Sequence, residues 1–157
     1  MVLPPFQSLL DSHAAEVARL CRALAGPNEG ADCAQETWLA ALRAYPSLQH
    51  AGNLRGWLLT IAARTATDGH RAGARRPVPV AVLPDTAAAP MAAAHDGDLW
   101  ARVRGLPDRQ RLAIGLRYAL DLPHAEVAAT LGCTPAASRR LVSDGLSALR
   151  TELRSEP

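Results

Sequence analysis

Apolar residues recur every three or four positions in the first half of the chain, which is the spacing of one face of an α-helix. One stripe ends at Gly26-Pro27, a second ends at Pro46, and a third begins after Asn53, a residue type suited to capping a helix N-terminus. The pattern predicts three amphipathic helices that close one small core around two tryptophans. The inward residues are Leu10, Ala14, Val17, Cys21 and Leu24; then Ala34, Trp38, Ala41, Leu42 and Tyr45; then Leu54, Trp57, Leu58, Ile61, Ala62 and Thr65.

The second half carries the same spacing in shorter segments. Residues 123–131 predict a short helix that ends at Gly132, and Thr134 followed by Pro135 predicts the N-cap and first turn of the next helix. Two helices joined by a glycine-containing turn of about three residues form the helix-turn-helix pattern, whose second helix can enter a DNA major groove. The inward residues are Leu99, Trp100 and Val103; Leu112, Leu116, Ala119 and Leu120, in a helix that begins near Pro107; Val127 and Leu131; and Leu141, Val142, Leu146 and Leu149.

Between these halves the helical spacing disappears. Residues 77–95 contain four prolines, seven alanines, one acid and no arginine, which is typical of an extended, flexible connector. The chain therefore divides into an N-terminal lobe (residues 1–76), a linker (77–98) and a C-terminal lobe (99–157). Net charge follows the same division, at +2, −3 and +3 respectively.

Composition agrees with an all-α protein of two small helical domains. Alanine and leucine account for 55 of the 157 residues, whereas valine and isoleucine account for 10. The aromatic content of 4% and the scarcity of β-branched runs argue against immunoglobulin-like sandwiches and against RNA-binding sheets that stack bases on aromatic rows. The chain lacks a stretch of 18 apolar residues and a signal-peptide pattern, so we expect a cytoplasmic protein without membrane insertion.

Three cysteines, Cys21, Cys33 and Cys133, form an odd number without a CxxC pair, which fits a reducing compartment and thiols that pack as small apolar side chains. The histidines are scattered, and the chain carries neither a nucleophile elbow nor a glycine-rich phosphate or dinucleotide loop. We therefore expect no enzyme activity, no metal site and no cofactor.

The second helix of the helix-turn-helix carries Ala136, Arg139, Arg140 and Ser143 on one outward side near its N-terminus, after Thr134. A recognition helix meets base edges at this place, and an arginine there can donate two hydrogen bonds to guanine. The alternative is a structural helical hairpin with two solvated arginines.

Two further surfaces lie in the N-terminal lobe. Toward its end, 22 positions contain five arginines and one acid, Asp68. This density of positive charge suits a phosphate backbone. The alternative is a solvated face in which Arg64 and Asp68 form an ion pair. The outward face of the second helix combines polar groups with a leucine and suits a protein partner, although single exposed leucines are common. The arginines are Arg55, Arg64, Arg71, Arg75 and Arg76, and the outward face comprises Asp32, Gln35, Glu36, Leu39 and Arg43.

Several segments together resemble a known family. Residues 32–39 (DCAQETWL) and 53–62 (NLRGWLLTIA), followed by Asp68 and Arg71, closely resemble region 2 of extracytoplasmic-function (ECF) sigma factors. Residues 106–111 (LPDRQR), 116–118 (LRY), 124–128 (HAEVA) and 131–134 (LGCT) resemble their region 4. The resemblance covers nearly the whole chain apart from the linker.

The resemblance implies an alternative sigma factor that binds bacterial core RNA polymerase and directs promoter-specific initiation. It places Asp32, Gln35 and Glu36, with Leu39 and Arg43, on the polymerase, and the loop at residues 45–53 with the start of the third helix on a flipped base of the melted minus-ten element. The helix-turn-helix would read the minus-thirty-five element as duplex. The expected minus-ten residues are Asn53, Arg55, Trp57, Arg64, Asp68, Arg71, Arg75 and Arg76, and the expected minus-thirty-five residues are Thr134, Ala136, Arg139, Arg140 and Ser143.

The chain departs from the family pattern at three places. Ala63-Arg64 replaces a common Arg-Asn pair, and Asp144 and Ala148 stand where basic residues are frequent. The rival interpretation is a regulator derived from a sigma factor that binds polymerase or DNA through one lobe only, without promoter melting.

The linker length allows the lobes to meet. A flexible coil of 19 residues spans roughly 25 Å. The lobes of the free protein can therefore pack together and hide their DNA-binding faces, and they can separate when polymerase binds both. We expect the lobes to move independently unless a partner, such as an anti-sigma protein, clamps them.

Overall fold

The computed structural model describes residues 2–49, 51–73 and 93–156, and all regular structure within these ranges is helical. The side chains of residues 70–73 and 93–96 are not described. The Arg71 side chain, Arg75, Arg76 and residues 77–92 of the predicted linker therefore lie outside the described residues, and the expected flexibility of the linker stays a prediction. The α-helices are α1 (Phe6–Ala25), α2 (Gly30–Ala44), α3 (Leu54–Gly73), α4 (Ala93–Arg104), α5 (Asp108–Ile114), α6 (His124–Leu131) and α7 (Pro135–Ser155). A 3-10 turn (Tyr45–Ser47) follows α2, and a π-helical turn (Gly115–Ala119) follows α5.

Most predicted helix boundaries are confirmed. They were predictable because capping residues within a few positions of each helix end set them. Gly26 (φ 94°) and Gly132 (φ 68°) end α1 and α6 with positive φ angles that favour glycine. Asn53 Oδ1 accepts a hydrogen bond from Gly56 N at 2.9 Å, and Thr134 caps α7. Helix α4 begins at Ala93, so residues 93–98, assigned to the linker from composition, are helical.

One apolar cluster runs through both lobes, so the core predicted for the three N-terminal helices extends into the C-terminal lobe. Leu24 of α1 is fully buried and approaches the π-helical turn so closely that a Cβ added at Gly115 would lie 2.5 Å from Leu24 Cδ2. Helix α6 packs on α3 in the same interface. Lobes of this size bury only a modest fraction of their surface alone, so packing on each other completes the core. The cluster includes Val17, Leu20, Leu24, Leu58, Ala62, Ala113, Leu116, Leu120, Val127 and Val142.

Several residues predicted to face inward lie elsewhere. Leu42 is 51% exposed and Leu99 43% exposed, and Ala14 is also exposed. Trp38 and Trp57 are only partly buried and pack at the edge of the core rather than at its centre.

An aromatic cluster explains the position of both tryptophans. Phe6 stacks edge-on against Trp38 (6.0 Å between centroids) and Tyr45 (5.2 Å), and Tyr45 lies 6.1 Å from Trp57. The Tyr45 hydroxyl donates a hydrogen bond to the carbonyl of Pro4. Phe6, the first residue of α1, therefore packs on Trp38, and the segment before α1 is bound to Tyr45, which the helical spacing did not indicate.

The C-terminal lobe has a second, smaller cluster beside the shared core. Val103, Leu106, Ile114 and Leu149 are buried there. Next to them the Arg111 side chain is 1% exposed, donating to Leu106 O at 3.1 Å and to Asp108 Oδ1 at 2.7 Å. These acceptors offset part of the lost hydration of the guanidinium, whose Nε has no hydrogen-bond partner among the described residues.

The described cysteines are reduced and packed as predicted. Cys21 and Cys33 are buried between α1 and α2, and Cys133 is half-buried. A hydrogen bond with Cys21, together with burial, raises the pKa of the Cys33 thiol, so that thiol stays protonated at neutral pH. Within the described ranges, no helix is both long and apolar enough to cross a membrane.

The close contact at Gly115 predicts a specific stability effect. Gly115→Ala should lower the free energy of unfolding by about 1–3 kcal/mol, because the new methyl group overpacks against the buried Leu24 side chain. The measurement is denaturant unfolding followed by circular dichroism.

Gly69→Ala is the matched control, since Gly69 lies on the exposed side of α3 with nothing within 4 Å of an added Cβ. That substitution should raise stability by about 0.5–1 kcal/mol through helix propensity alone. Equal effects of the two substitutions would contradict a tight contact between the lobes.

Candidate functional site

The outward face of α2 is a continuous exposed surface. Its inner side is anchored by buried Cys33, Thr37 and Ala41, and Thr37 Oγ1 donates to Cys33 O at 2.8 Å. Leu39 is 51% exposed, as expected, and the equally exposed Leu42 extends the apolar part of the surface. All five predicted polymerase-binding residues are exposed together: Asp32, Gln35, Glu36, Leu39 and Arg43.

A groove of about 380 Å³ runs between α2 and α3 along this face. Glu36, Leu39 and Arg43 line one wall, and Thr65 and Asp68 line the other. The structure therefore brings Asp68, predicted as a minus-ten residue, next to the predicted polymerase-binding residues.

The predicted minus-ten residues are divided among different environments. Asn53 is exposed and caps α3, whereas Trp57 is partly buried against Tyr45. Arg64 and Asp68 are exposed further along α3. These residues share one helix and its N-cap.

Arg55 is held by carboxylates from both lobes. Its Nε donates to Glu16 Oε2 of α1 at 3.0 Å. Its Nη1 donates to Glu126 Oε2 of α6 at 2.8 Å. The hydrogen bond with Arg55 lowers the pKa of Glu16, so the pair is charged at neutral pH. Arg55 therefore connects α1, α3 and α6.

The predicted recognition helix presents its N-terminal turns to solvent. Thr134 Oγ1 accepts a hydrogen bond from Ala137 N at 3.1 Å, and Arg140, 85% exposed, lies 3.8 Å from Asp144 through its Nε. The packed lobes leave this face uncovered, so the expectation that packing hides both DNA-binding faces was wrong for the C-terminal lobe. The exposed residues are Thr134, Ala136, Arg139, Arg140 and Ser143.

A hydrogen bond on the inner side fixes α7 against α6. Ser138 is fully buried, and its Oγ lies 3.1 Å from His124 Nδ1. Burial and the charges of Arg117 and Arg139 lower the pKa of His124, which favours the neutral ring. Helical spacing alone does not mark Ser138 as a contact that orients α7.

Glu16 and Glu126, the acids that contact Arg55, were likewise not predicted from the sequence. Each is an ordinary charged residue on a helix surface, and neither stands near Arg55 in sequence. The only signal in the sequence was that both are acids, which can pair with an arginine. Among the described residues, no group of three histidine, cysteine or acidic side chains is placed to hold a metal ion.

Comparison with known proteins assigns both lobes to one family. Residues 9–76 match Sigma-70 region 2, and residues 96–149 match Sigma-70 region 4. The ECF RNA polymerase sigma factor SigD of Mycobacterium tuberculosis is 34% identical over 151 residues, covering 87% of this chain and 71% of the relative. SigD of Mycobacterium bovis matches to the same extent.

Solved structures show the same fold. The sigma factor RpoE from Bartonella quintana, in complex with the anti-sigma factor NepR, has a TM-score of 0.69 at 21% identity, covering 99% of this chain and 100% of that one. CnrH, in complex with the cytosolic domain of CnrY, has a TM-score of 0.71 at 21% identity, covering 97% and 89%. The chain thus belongs to the ECF sigma factors of the sigma-70 family, alternative sigma factors that bind core RNA polymerase and promoter DNA to direct transcription initiation.

Proposed function

We propose that this sigma factor divides its work among three surfaces, in region 2 (residues 1–76) and in region 4 (residues 99–157), joined by residues 77–98. The outward face of α2 binds core polymerase, the start of α3 binds melted minus-ten DNA, and the N-terminal turns of α7 read minus-thirty-five duplex. The protein acts in the cytoplasm by binding rather than by catalysis. The exposed α2 face, with Leu39 among polar groups, is the observation that carries the proposal.

The chemistry of the α2 face supports a protein partner. A half-exposed leucine supplies apolar contact area, while the surrounding carboxylates and Arg43 supply directional polar contacts. Asp68 belongs with this surface in our proposal, because it lines the same groove as Glu36 and a carboxylate would repel phosphates.

Transcription in vitro with purified core polymerase tests the function, since a one-lobe regulator would not confer specific initiation. Glu36→Lys should weaken core binding by about 1–2 kcal/mol, or about five- to thirty-fold, because it reverses charge at the centre of the face. The measurement is a titration of labelled sigma factor with core polymerase, followed by the transcription assay.

Glu152→Lys, an equivalent reversal at an exposed position near the end of α7, is the control and should leave core affinity nearly unchanged. Equal core affinities for the Glu36 and Glu152 variants would remove α2 from the interface.

The geometry of α7 supports duplex recognition. Thr134 and Pro135 start the helix, and the buried Ser138 turns the opposite side, with Arg139 and Arg140, outward. Asp144 lies close to Arg140 and reduces the positive charge beyond the first turns. Base reading is therefore concentrated at Arg139 and Arg140, with Ala136 and Ser143 beside them.

Arg139→Ala and Arg140→Ala should each cost about 1–3 kcal/mol of minus-thirty-five binding and relax base preference at one position. The measurement is selection of promoter DNA by reconstituted holoenzyme, followed by affinity titration of the selected duplex.

Arg150→Ala, which removes an exposed arginine nearer the end of α7, should change affinity much less and leave base preference intact. If all three variants select the same duplex with equal affinity, α7 does not read bases through Arg139 and Arg140.

The minus-ten surface combines Asn53, Arg55, Trp57 and Arg64, with Arg71, Arg75 and Arg76 supplying further positive charge for the backbone. Asn53 and Arg55 lie at the start of α3, where they can meet an unstacked base and its phosphate. The partly exposed Trp57 edge lies beside them.

An anti-sigma protein is a further proposed partner. Of the similar structures, one contains the sigma factor RpoE bound to the anti-sigma factor NepR, and another contains CnrH bound to the cytosolic domain of CnrY. Both lobes of this chain are net positive, so an acidic clamp across them is electrostatically favourable.

A further inference from the structure

The start of α3 is covered on one side by region 4. Helix α6 lies across it, and Thr60 Oγ1 approaches Thr130 O at 3.5 Å one turn beyond the Arg55–Glu126 pair. The turn at residues 132–134 joins α6 to the proposed recognition helix α7, whose Arg139 and Arg140 face solvent on another side. Region 4 therefore covers a DNA-binding element of region 2 while its own remains open.

Arg55 has limited capacity for a new partner in this arrangement. Glu16 accepts from its Nε, and Glu126 accepts from a guanidinium nitrogen at 2.8 Å. A phosphate binds an arginine through the same in-plane donors that a carboxylate uses. Phosphate and Glu126 therefore compete for one end of the guanidinium.

The Glu126 contact is the one that can open. Glu126 is 50% exposed, whereas Glu16 is 24% exposed and belongs to the same lobe as Arg55. Exposed ion pairs are weak and are screened by salt. Separation of the lobes would remove Glu126 and leave Glu16 to orient the guanidinium.

We propose that Glu126 is an intramolecular competitor of minus-ten DNA: in the free chain it occupies Arg55, while α7 stays competent for duplex. The inhibition is one-sided, and it is relieved when polymerase separates the two regions. The proposal rests on the minus-ten role proposed above for Arg55. It gives the acid of α6 a regulatory role in the free protein.

The test compares free full-length chains in binding two labelled probes of randomised sequence, a single-stranded 12-mer and a duplex. Glu126→Gln should raise affinity for the single strand by about two- to five-fold, the range expected for losing an exposed ion pair. Titrations run at low salt, where phosphate contacts are strongest, and circular dichroism verifies equal helical content.

Glu152→Gln is the matched control, since it removes the same charge from an exposed position of α7 away from Arg55. The two variants should bind duplex alike, and only Glu126→Gln should favour the single strand. Equal single-strand affinities of the two variants, or no measurable binding by Glu126→Gln, would overturn the proposal.

Adding Arg55→Ala tests the role of Glu126 separately from the proposed minus-ten role of Arg55. In that background Glu126→Gln should give no gain over Glu152→Gln, and a persistent gain would show that Glu126 acts without Arg55. Holoenzyme carrying Arg55→Ala alone should initiate less well from linear promoter DNA. Unimpaired initiation there would reject the minus-ten role of Arg55 itself, whatever Glu126 does.

Discussion

The apolar contact between region 2 and region 4 is the constraint on which the rest of the structure depends. Leu24 enters the space left by the missing side chain of Gly115, and a single cluster of buried residues then continues through both regions. Because this contact fixes α6 against α3, it also decides which charged groups meet. Arg55 reaches Glu126 only after the two regions are packed.

Apolar packing and ion pairing contribute differently to this interface. A fully buried leucine contributes about 1.5–3 kcal/mol, whereas an exposed ion pair contributes about 0–1 kcal/mol. Both regions carry net positive charge, which opposes their approach. The shared core therefore provides the attraction, and Glu16 and Glu126 neutralise the arginine at its edge.

In two of the proposed binding helices, α2 and α7, a buried hydroxyl lies on the side opposite the binding face. Thr37 bonds to its own helix in α2, and Ser138 bonds to His124 across the helix-turn-helix. This arrangement leaves the outward faces of α2 and α7 exposed in the packed chain. The start of α3 differs, because its neighbour is region 4 itself and its availability depends on how the regions are arranged.

The sequence by itself determined the helical class, the order of the two regions and the ends of several helices. Gly26, Gly132 and Thr134 act through neighbours a few residues away, so their effects are readable from local sequence. The outward faces of α2 and α7 were predictable for the same reason, because helical periodicity places opposite sides without knowledge of the partner.

Only the tertiary structure decided which apolar side chains of the packed helices are buried and which stay exposed. It left Leu42 and Leu99 half exposed, placed the tryptophans at the edge of the core and extended that core through both regions. It also paired Arg55 with Glu126, 71 positions away. Periodicity specifies which side of a helix is apolar, whereas the neighbour that covers that side depends on packing between segments distant in the chain.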